Sequence, residues 1–346
     1  KNENSPNRYF FLKYLEQKPN IKLLDDVPSN SLNKWLQTNQ DFVPDIIIYY
    51  FLSKGARFIN ISIEDFVQSI KNRPNILSAM IFEDSHYTDL VYKLYNQYNF
   101  KYFIQLGYNK TVVSSLKQYN IPFKLWNQYI DTTKFYSRED ELKYDFLFYG
   151  YVDPTIYPLR AKIYEALKSL QKTHKEIKIN IIEHGSYNKN ILSVPTQEKL
   201  SVLLNQSRFS FATSSIYDLF LKKYIEIPLS GATTIGNIPS GYENLLKNNI
   251  IPINNSNTVN KIKQILIDAY RNNYLNIEMN TSTLASQLRS KYNYETGYND
   301  LNKIASELTN EYTIQKQRQR QRQLSIQNKF LNKNNNNFQF AIRNFF

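Results

Sequence analysis

The sequence predicts an α/β protein built from two doubly wound, Rossmann-like parallel-sheet domains and a low-complexity C-terminal tail. Three observations carry that reading. Short apolar runs alternate with amphipathic helical patterns along most of the chain, the pattern of parallel sheets flanked by helices. The length, 346 residues, matches two domains at about 100 to 200 residues each. From residue 314 the composition changes to repeated Arg, Gln and Asn, beginning "IQKQRQRQRQLSIQNKF".

In the first half the strand candidates are "DIIIYYF" (45–51), "ILSAMIF" (76–82), "KYFIQLG" (101–107) and "IPFKL" (121–125). Helical patterns lie between them at 87–98 and 110–119. The polar stretch 131–141, "DTTKFYSREDE", reads as the connection to a second unit. There the strands are "YDFLFY" (144–149), "IKINII" (177–182), "RFSFAT" (208–213), "TTIG" (233–236) and "NIIPI" (249–253). Ile156, Leu159, Ile163, Ala166 and Leu170 recur at helical spacing, with Asp153 as the expected N-cap and Pro154 at the first helical position. After Pro252 the chain reads as helices. The expected division is 1–138, 139–313 and a basic tail, 314–346, that is disordered or a loosely attached helix.

Composition removes several classes of chemistry. Cysteine is absent, so these residues offer no disulfide framework, cysteine nucleophile or thiolate zinc site. No run approaches about 18 apolar residues and the start lacks a signal-like apolar core, so a soluble, cytoplasmic protein without a transmembrane segment is expected. The net charge is +13, but Lys316, Arg318, Arg320, Arg322, Lys329, Lys333 and Arg343 supply seven of those charges with no acidic residue among them. The body is only mildly basic. No specific nucleic-acid partner is expected on that ground.

In an open parallel sheet ligands sit beyond the carboxyl ends of the strands, where helix N-termini present unsatisfied N–H groups. "FLFYGYVDPT" has that form: Gly150 permits a tight turn after a strand, and Arg160 follows as a charge partner for phosphate or as a solvated helix face. "NIIEHGSYN" is a second strand end, whose His184 could meet a base or phosphate or be structural. Asp218, Lys222 and Glu226 stand at i, i+4 and i+8, so a helical "SIYDLFLKKYIEI" would line them up, either as an ion-pair ladder or as ligand-binding groups. A carboxylate in "YIEIPLSG", next to a strand, needs a partner, and vicinal sugar hydroxyls would donate twice.

The stretch "KKYIEIPLSGATTIGNIPSGYENLL" (222–246) resembles the C-terminal signature of GT-B glycosyltransferases of the CgeB-like and group 1 types. There a basic residue precedes Phe/Tyr-x-Glu-x-Pro-x-x-Gly. "ELKYDFLFYGYVDP" is similar to the first strand and loop of that family's donor domain, and the likeness spans roughly residues 76–310. It implies a GT-B-like fold whose two domains face a cleft. It further implies that Glu226 binds ribose hydroxyls of a nucleotide-sugar, that Lys223 is the family's basic residue, and that Asp218, which opens an acid-x7-Glu pattern, is a catalytic candidate.

The expected activity is sugar transfer from a nucleotide-sugar, a UDP-sugar, to a glycan, protein or small-molecule acceptor, with the donor as co-substrate and no separate cofactor. Gly150, Ser214 and Ser215 would surround the diphosphate, with Arg160 and Lys222 as further donor contacts, while the segment from His184 to Val194 would frame the base. No Asp-x-Asp motif is evident, so basic groups and helix dipoles are expected to replace a metal. "FEDSHYTDL" supplies Asp84 and His86 as candidate bases for an acceptor hydroxyl; alternatively Asp84 or Ser85 caps a helix and His86 is a surface residue. Two other readings stand beside this one: a catalytically silent scaffold of the same fold, and a nucleic-acid-binding protein working through its tail.

Overall fold

The computed structural model describes residues 6–22, 32–39, 44–51, 63–71, 73, 76–82, 92, 95, 96, 100, 102–108, 110–183 and 195–343. Its first domain contains α1 (Pro6–Glu16), α2 (Leu32–Thr38), β1 (Ile46–Phe51), α3 (Ile63–Lys71), β2 (Leu77–Phe82), β3 (Tyr102–Leu106), α4 (Lys110–Gln118) and β4 (Phe123–Trp126). The four strands are parallel, in the order β1-β2-β3-β4. Side chains alternate across a strand, so Phe103 of β3 joins Met80, Phe66, Val112 and Leu116 under α3 and α4. Its neighbours Tyr102 and Ile104 face the other way, onto Leu15 of α1 and Trp126.

The second domain follows as β5 (Tyr144–Gly150), α5 (Pro158–Thr173), β6 (Ile179–Glu183), α6 (Gln197–Asn205), β7 (Ser207–Ala212), α7 (Lys223–Leu229), β8 (Thr233–Gly236), α8 (Glu243–Leu246), β9 (Ile251–Pro252), α9 (Val259–Tyr270), α10 (Leu275–Lys291) and α11 (Tyr294–Arg343). Its five parallel strands are ordered β6-β5-β7-β8-β9. Phe146, Phe148 and Phe209 pack against Leu159, Ile163 and Leu170 of α5 and Ile262 and Leu266 of α9. On the opposite face Leu147 packs with Leu204 of α6, Tyr224 and Ile225 of α7 and Leu284 and Leu288 of α10. Both faces are covered, which is why these strands read as continuous apolar runs.

Every expected strand forms; the helix expected at 87–98 lies mostly outside the described residues, and the other departures lie at element ends. The helix expected from Pro154 starts at Pro158 instead. Asp153 accepts hydrogen bonds from the Thr155 amide (2.8 Å) and hydroxyl (2.6 Å), which closes a separate turn and leaves the second proline to open the helix. The 249–253 strand shrinks to Ile251–Pro252 because Asn249 N–H turns back to Leu246 (3.0 Å) and Pro252 has no N–H to give. The helix expected across "SIYDLFLKKYIEI" forms only from Lys223. Ahead of it Ile216 N–H bonds Ile156 (2.9 Å), Tyr217 N–H bonds the Ser215 hydroxyl (3.2 Å), and Asp218 takes a left-handed φ of 56°. The Asp218, Lys222, Glu226 ladder is therefore not on one helix.

The tail is helical. α11 runs unbroken through residue 313 to Arg343, and its first part lies on the first sheet, where Tyr294, Leu301, Ile304 and Leu308 share a core with Leu77, Ile104 and Trp126. The Trp126 indole donates to the Gly297 carbonyl (3.0 Å), and Lys124 pairs with Glu307 (2.9 Å) and Glu311 (2.8 Å). Between the two sheets the chain runs through 127–143 outside helices and strands, with a turn at 132–134 closed by Lys134 N–H on the Asp131 carbonyl (3.1 Å), and is pinned by Ile130 N–H on the Tyr292 carbonyl (3.0 Å). Among the described residues no helix is long and apolar enough to cross a membrane.

Candidate functional site

The strand order of the second sheet decides where a site can form. From β5 the chain crosses to β6 on one side and then returns past β5 to β7 on the other. Connections diverge there, and the crevice between the carboxyl ends of β5 and β7 is the binding position of such sheets. Tyr149 and Gly150 end β5, and Thr213, Ser214 and Ser215 follow β7.

Two cations converge on that crevice. Arg160, in the first turn of α5, is buried and bridges the two strand ends: Nε donates to the Thr213 hydroxyl (3.1 Å) and Nη1 to the Tyr151 carbonyl (3.0 Å). Its guanidinium stacks on the Tyr157 ring, 3.8 Å from the centroid. It is not a solvated helix face. Lys223, at the start of α7, donates to the Tyr149 carbonyl and lies 3.9 Å from the centre of the Tyr149 ring.

Gly150 is the residue that lets them meet. Its φ is 110°, outside the range of ordinary side-chain-bearing residues. A Cβ placed there would stand 2.5 Å from Lys223 Nζ and 3.6 Å from Arg160 Nη1. Two positive groups thus approach one point beside a bare backbone turn. Burial, and then the Arg160 charge, hold the Lys223 pKa well below the usual lysine value, while Glu226 pulls it up. An anion in the crevice would relieve that repulsion.

Glu226 lies three residues beyond Lys223 on α7 and is buried, with Oε2 accepting from the Tyr149 hydroxyl at 3.2 Å. The Tyr149 pKa is pushed well up, first by burial and then by this carboxylate. A carboxylate can accept about four hydrogen bonds, and the Tyr149 hydroxyl supplies one of them.

The remaining candidates divide in two. Ser214 and Ser215 are buried in the crevice wall, but the Ser214 N–H is taken by the Asn237 side chain (2.9 Å), which also donates to the Ser214 hydroxyl. Asp218 accepts from the Ser240 N–H (2.9 Å), pinning the loop after β8. Lys222 is the N-cap of α7; its carbonyl receives the Ile225 and Glu226 N–H groups, each at 2.8 Å. Asp84, His86, His184 and Val194 lie outside the described residues. Tyr149, Thr213 and Asn237 were not singled out by sequence. An aromatic residue one position before a strand-end glycine was the only local trace of Tyr149.

The first domain reaches the same region through the loop after β3. Tyr108 packs against Tyr242, and its ring lies 3.8 Å from the point where Gly241 would carry a Cβ. Tyr242 stacks on Phe220 at 4.0 Å, and the Tyr224 hydroxyl, in the same cluster, donates to the Asn237 carbonyl at 2.8 Å.

No protein-family model and no curated protein matches the sequence. Solved structures do match in fold. The chain is similar to HepE from Anabaena in complex with UDP-glucose, with a TM-score of 0.53 and 10% identity over 79% of this chain and 81% of that one. A glycosyltransferase from Rickettsia africae gives 0.54 at 12% identity, covering 89% and 84%. TarM gives 0.53 at 14% identity, covering 79% of this chain and 57% of the longer TarM chain. Two parallel α/β domains with these neighbours define a GT-B-like fold.

Proposed function

We propose that the protein is a glycosyltransferase that moves a sugar from a UDP-sugar to an acceptor hydroxyl bound between its two domains. The observation that carries this reading is the convergence of Arg160 and Lys223 on Gly150 at the divergence point of the second sheet. A nucleoside diphosphate would bring to those two cations more negative charge than the Glu226 carboxylate supplies. HepE in complex with UDP-glucose and TarM in complex with UDP, both sharing the fold, support the choice of uridine nucleotide.

In this reading Lys223 and Arg160 neutralise the diphosphate as it departs, a role that oriented charges fill without reorganisation. Glu226 accepts hydrogen bonds from the ribose hydroxyls, and the 184–194 segment holds the base. Asp84 or His86 takes the acceptor proton, and Asp218 positions the loop after β8. The diphosphate is met by side chains and needs no metal. The acceptor is a hydroxyl-bearing glycan, protein or small molecule, and the protein works in the cytoplasm.

The test is calorimetric titration with UDP, followed by assay of UDP release from a panel of UDP-sugars, both in EDTA. Binding and turnover that persist under chelation are expected. Absence of UDP binding would sink the proposal, and activity restored only by manganese or magnesium would sink its metal-independent form.

A further inference from the structure

The Arg-Gln repeat takes no part in the site described above, and α11 is electrically divided near residue 313. From Tyr294 to Thr313 it carries Glu295, Asp300, Glu307 and Glu311 against Lys303 as its only cation. From Ile314 onward the sequence has seven basic residues and no carboxylate. The acidic part is engaged with the first domain, where Lys18 meets Glu295 (2.7 Å) and Lys124 meets Glu307 and Glu311. The basic part leaves the body, with residues 317–329 all exposed.

Helical spacing sorts the cations into two ridges. At about 100° per residue, Arg318, Arg322 and Lys329 fall within about 40° of one another, and Lys316 and Arg320 lie on the opposite side. The i, i+4 neighbours along a ridge are about 6 Å apart, and Lys329 follows Arg322 at about 10 Å. Lys316 with Arg320, and Arg318 with Arg322, are like-charge pairs at i, i+4, which weaken a helix unless an anion sits between them. Among the described residues, the exposed apolar side chains Ile314, Leu324 and Ile326 fall on three different sides of the helix. A helix lying in a bilayer needs one apolar side, and a flat anionic surface would meet one ridge only. A flexible chain of phosphates can follow both.

We infer that the α11 extension docks single-stranded nucleic acid through its phosphates, without reading base sequence. The partner is the one whose charge and flexibility match two ridges of arginine and lysine separated by glutamines.

The experiment uses the full chain and a fluorescent uridylate oligonucleotide of about 20 nucleotides, with anisotropy followed over a salt series. Binding should weaken linearly on a log–log plot. In R318Q/R320Q/R322Q the slope should become shallower by about 2, since each lost phosphate contact on a single strand removes about 0.7. Glutamine favours the helix nearly as well as arginine, and UDP binding should be unchanged. No oligonucleotide binding at low salt, or an unchanged slope in the triple variant, would overturn the inference. So would tighter binding, at equal phosphate, to vesicles of phosphatidylcholine containing about one-third phosphatidylglycerol.

Discussion

The two sheets are built from the same parts and differ in the order of their strands. In the first, β1 to β4 lie side by side in chain order, so successive connections progress in one direction. In the second, β6 lies on one side of β5 and β7 on the other, and the divergence opens a crevice. Each sheet ends a central strand with a positive-φ glycine, Gly107 after β3 and Gly150 within β5. Around Gly107 no described residue lies within 4 Å of a would-be Cβ, whereas Gly150 is crowded by Lys223 and Arg160. The same backbone device is a plain turn in one domain and a charged niche in the other. Topology, more than local sequence, makes the difference.

Exchanging each glycine for alanine gives the largest contrast. Gly150→Ala combines left-handed strain, roughly 1 to 2 kcal/mol, with displacement of the Lys223 ammonium, and should abolish measurable UDP binding. Gly107→Ala should lower thermal stability by the strain alone and leave UDP affinity intact. Equal effects on calorimetric affinity would erase the distinction between the two strand ends.

Lys223→Met comes next and should cost about 1.5 to 3 kcal/mol of UDP affinity, the range for hydrogen bonds to charged groups. Its protonation gives a second signature. The folded pKa is depressed below the ordinary 10.5, so the unfolded chain binds more protons at pH values between the two, and Lys223 contributes a destabilisation that fades as pH rises through that window. A bound diphosphate raises the pKa again. UDP binding at alkaline pH should therefore take up protons, seen as a buffer-dependent binding enthalpy, and Lys223→Met should remove that dependence.

The smallest effect is expected at Glu226, where Glu226→Ala should cost about 1.5 kcal/mol, the low end for a charged acceptor. A cycle with 2′,3′-dideoxy-UDP sharpens the assignment. If the carboxylate holds the ribose, the mutation should cost little further affinity for the dideoxy ligand. Additive losses would assign Glu226 to holding Tyr149 and balancing Lys223.

The strands were legible because parallel strands buried on both faces leave uninterrupted apolar runs. Helix starts were less so. Pro154 and Pro158 satisfy the same first-turn preference, and only the Asp153 turn decides between them. The spacing of Asp218, Lys222 and Glu226 says where residues fall if a helix forms, but the backbone donors of 217 and 218 are spent on a turn at Ser215 and that of 216 on Ile156. Gly150, Lys223 and Glu226 were visible as a glycine, a cation and an anion at strand and helix ends. Asn237 was not, because its meeting with Ser214 depends on β7 and β8 being neighbours. Nor does any local pattern announce that α11 returns to the first sheet.

That return changes the order in which the protein can assemble. The core beneath β2 and β3 is completed by Leu301, Ile304 and Leu308, and α1 is tied down by Lys18 to Glu295 and by Asn20 to Asn302 (3.1 Å). Segments 277 and 282 residues apart in sequence therefore clasp each other. During synthesis the second domain has all its strands available by Pro252, while the first waits with one sheet face covered only by α1 until the start of α11 emerges. Contacts of such high sequence separation form slowly. The domain made first is the one finished last, and in that interval its exposed face is the stretch of this protein most in need of a chaperone.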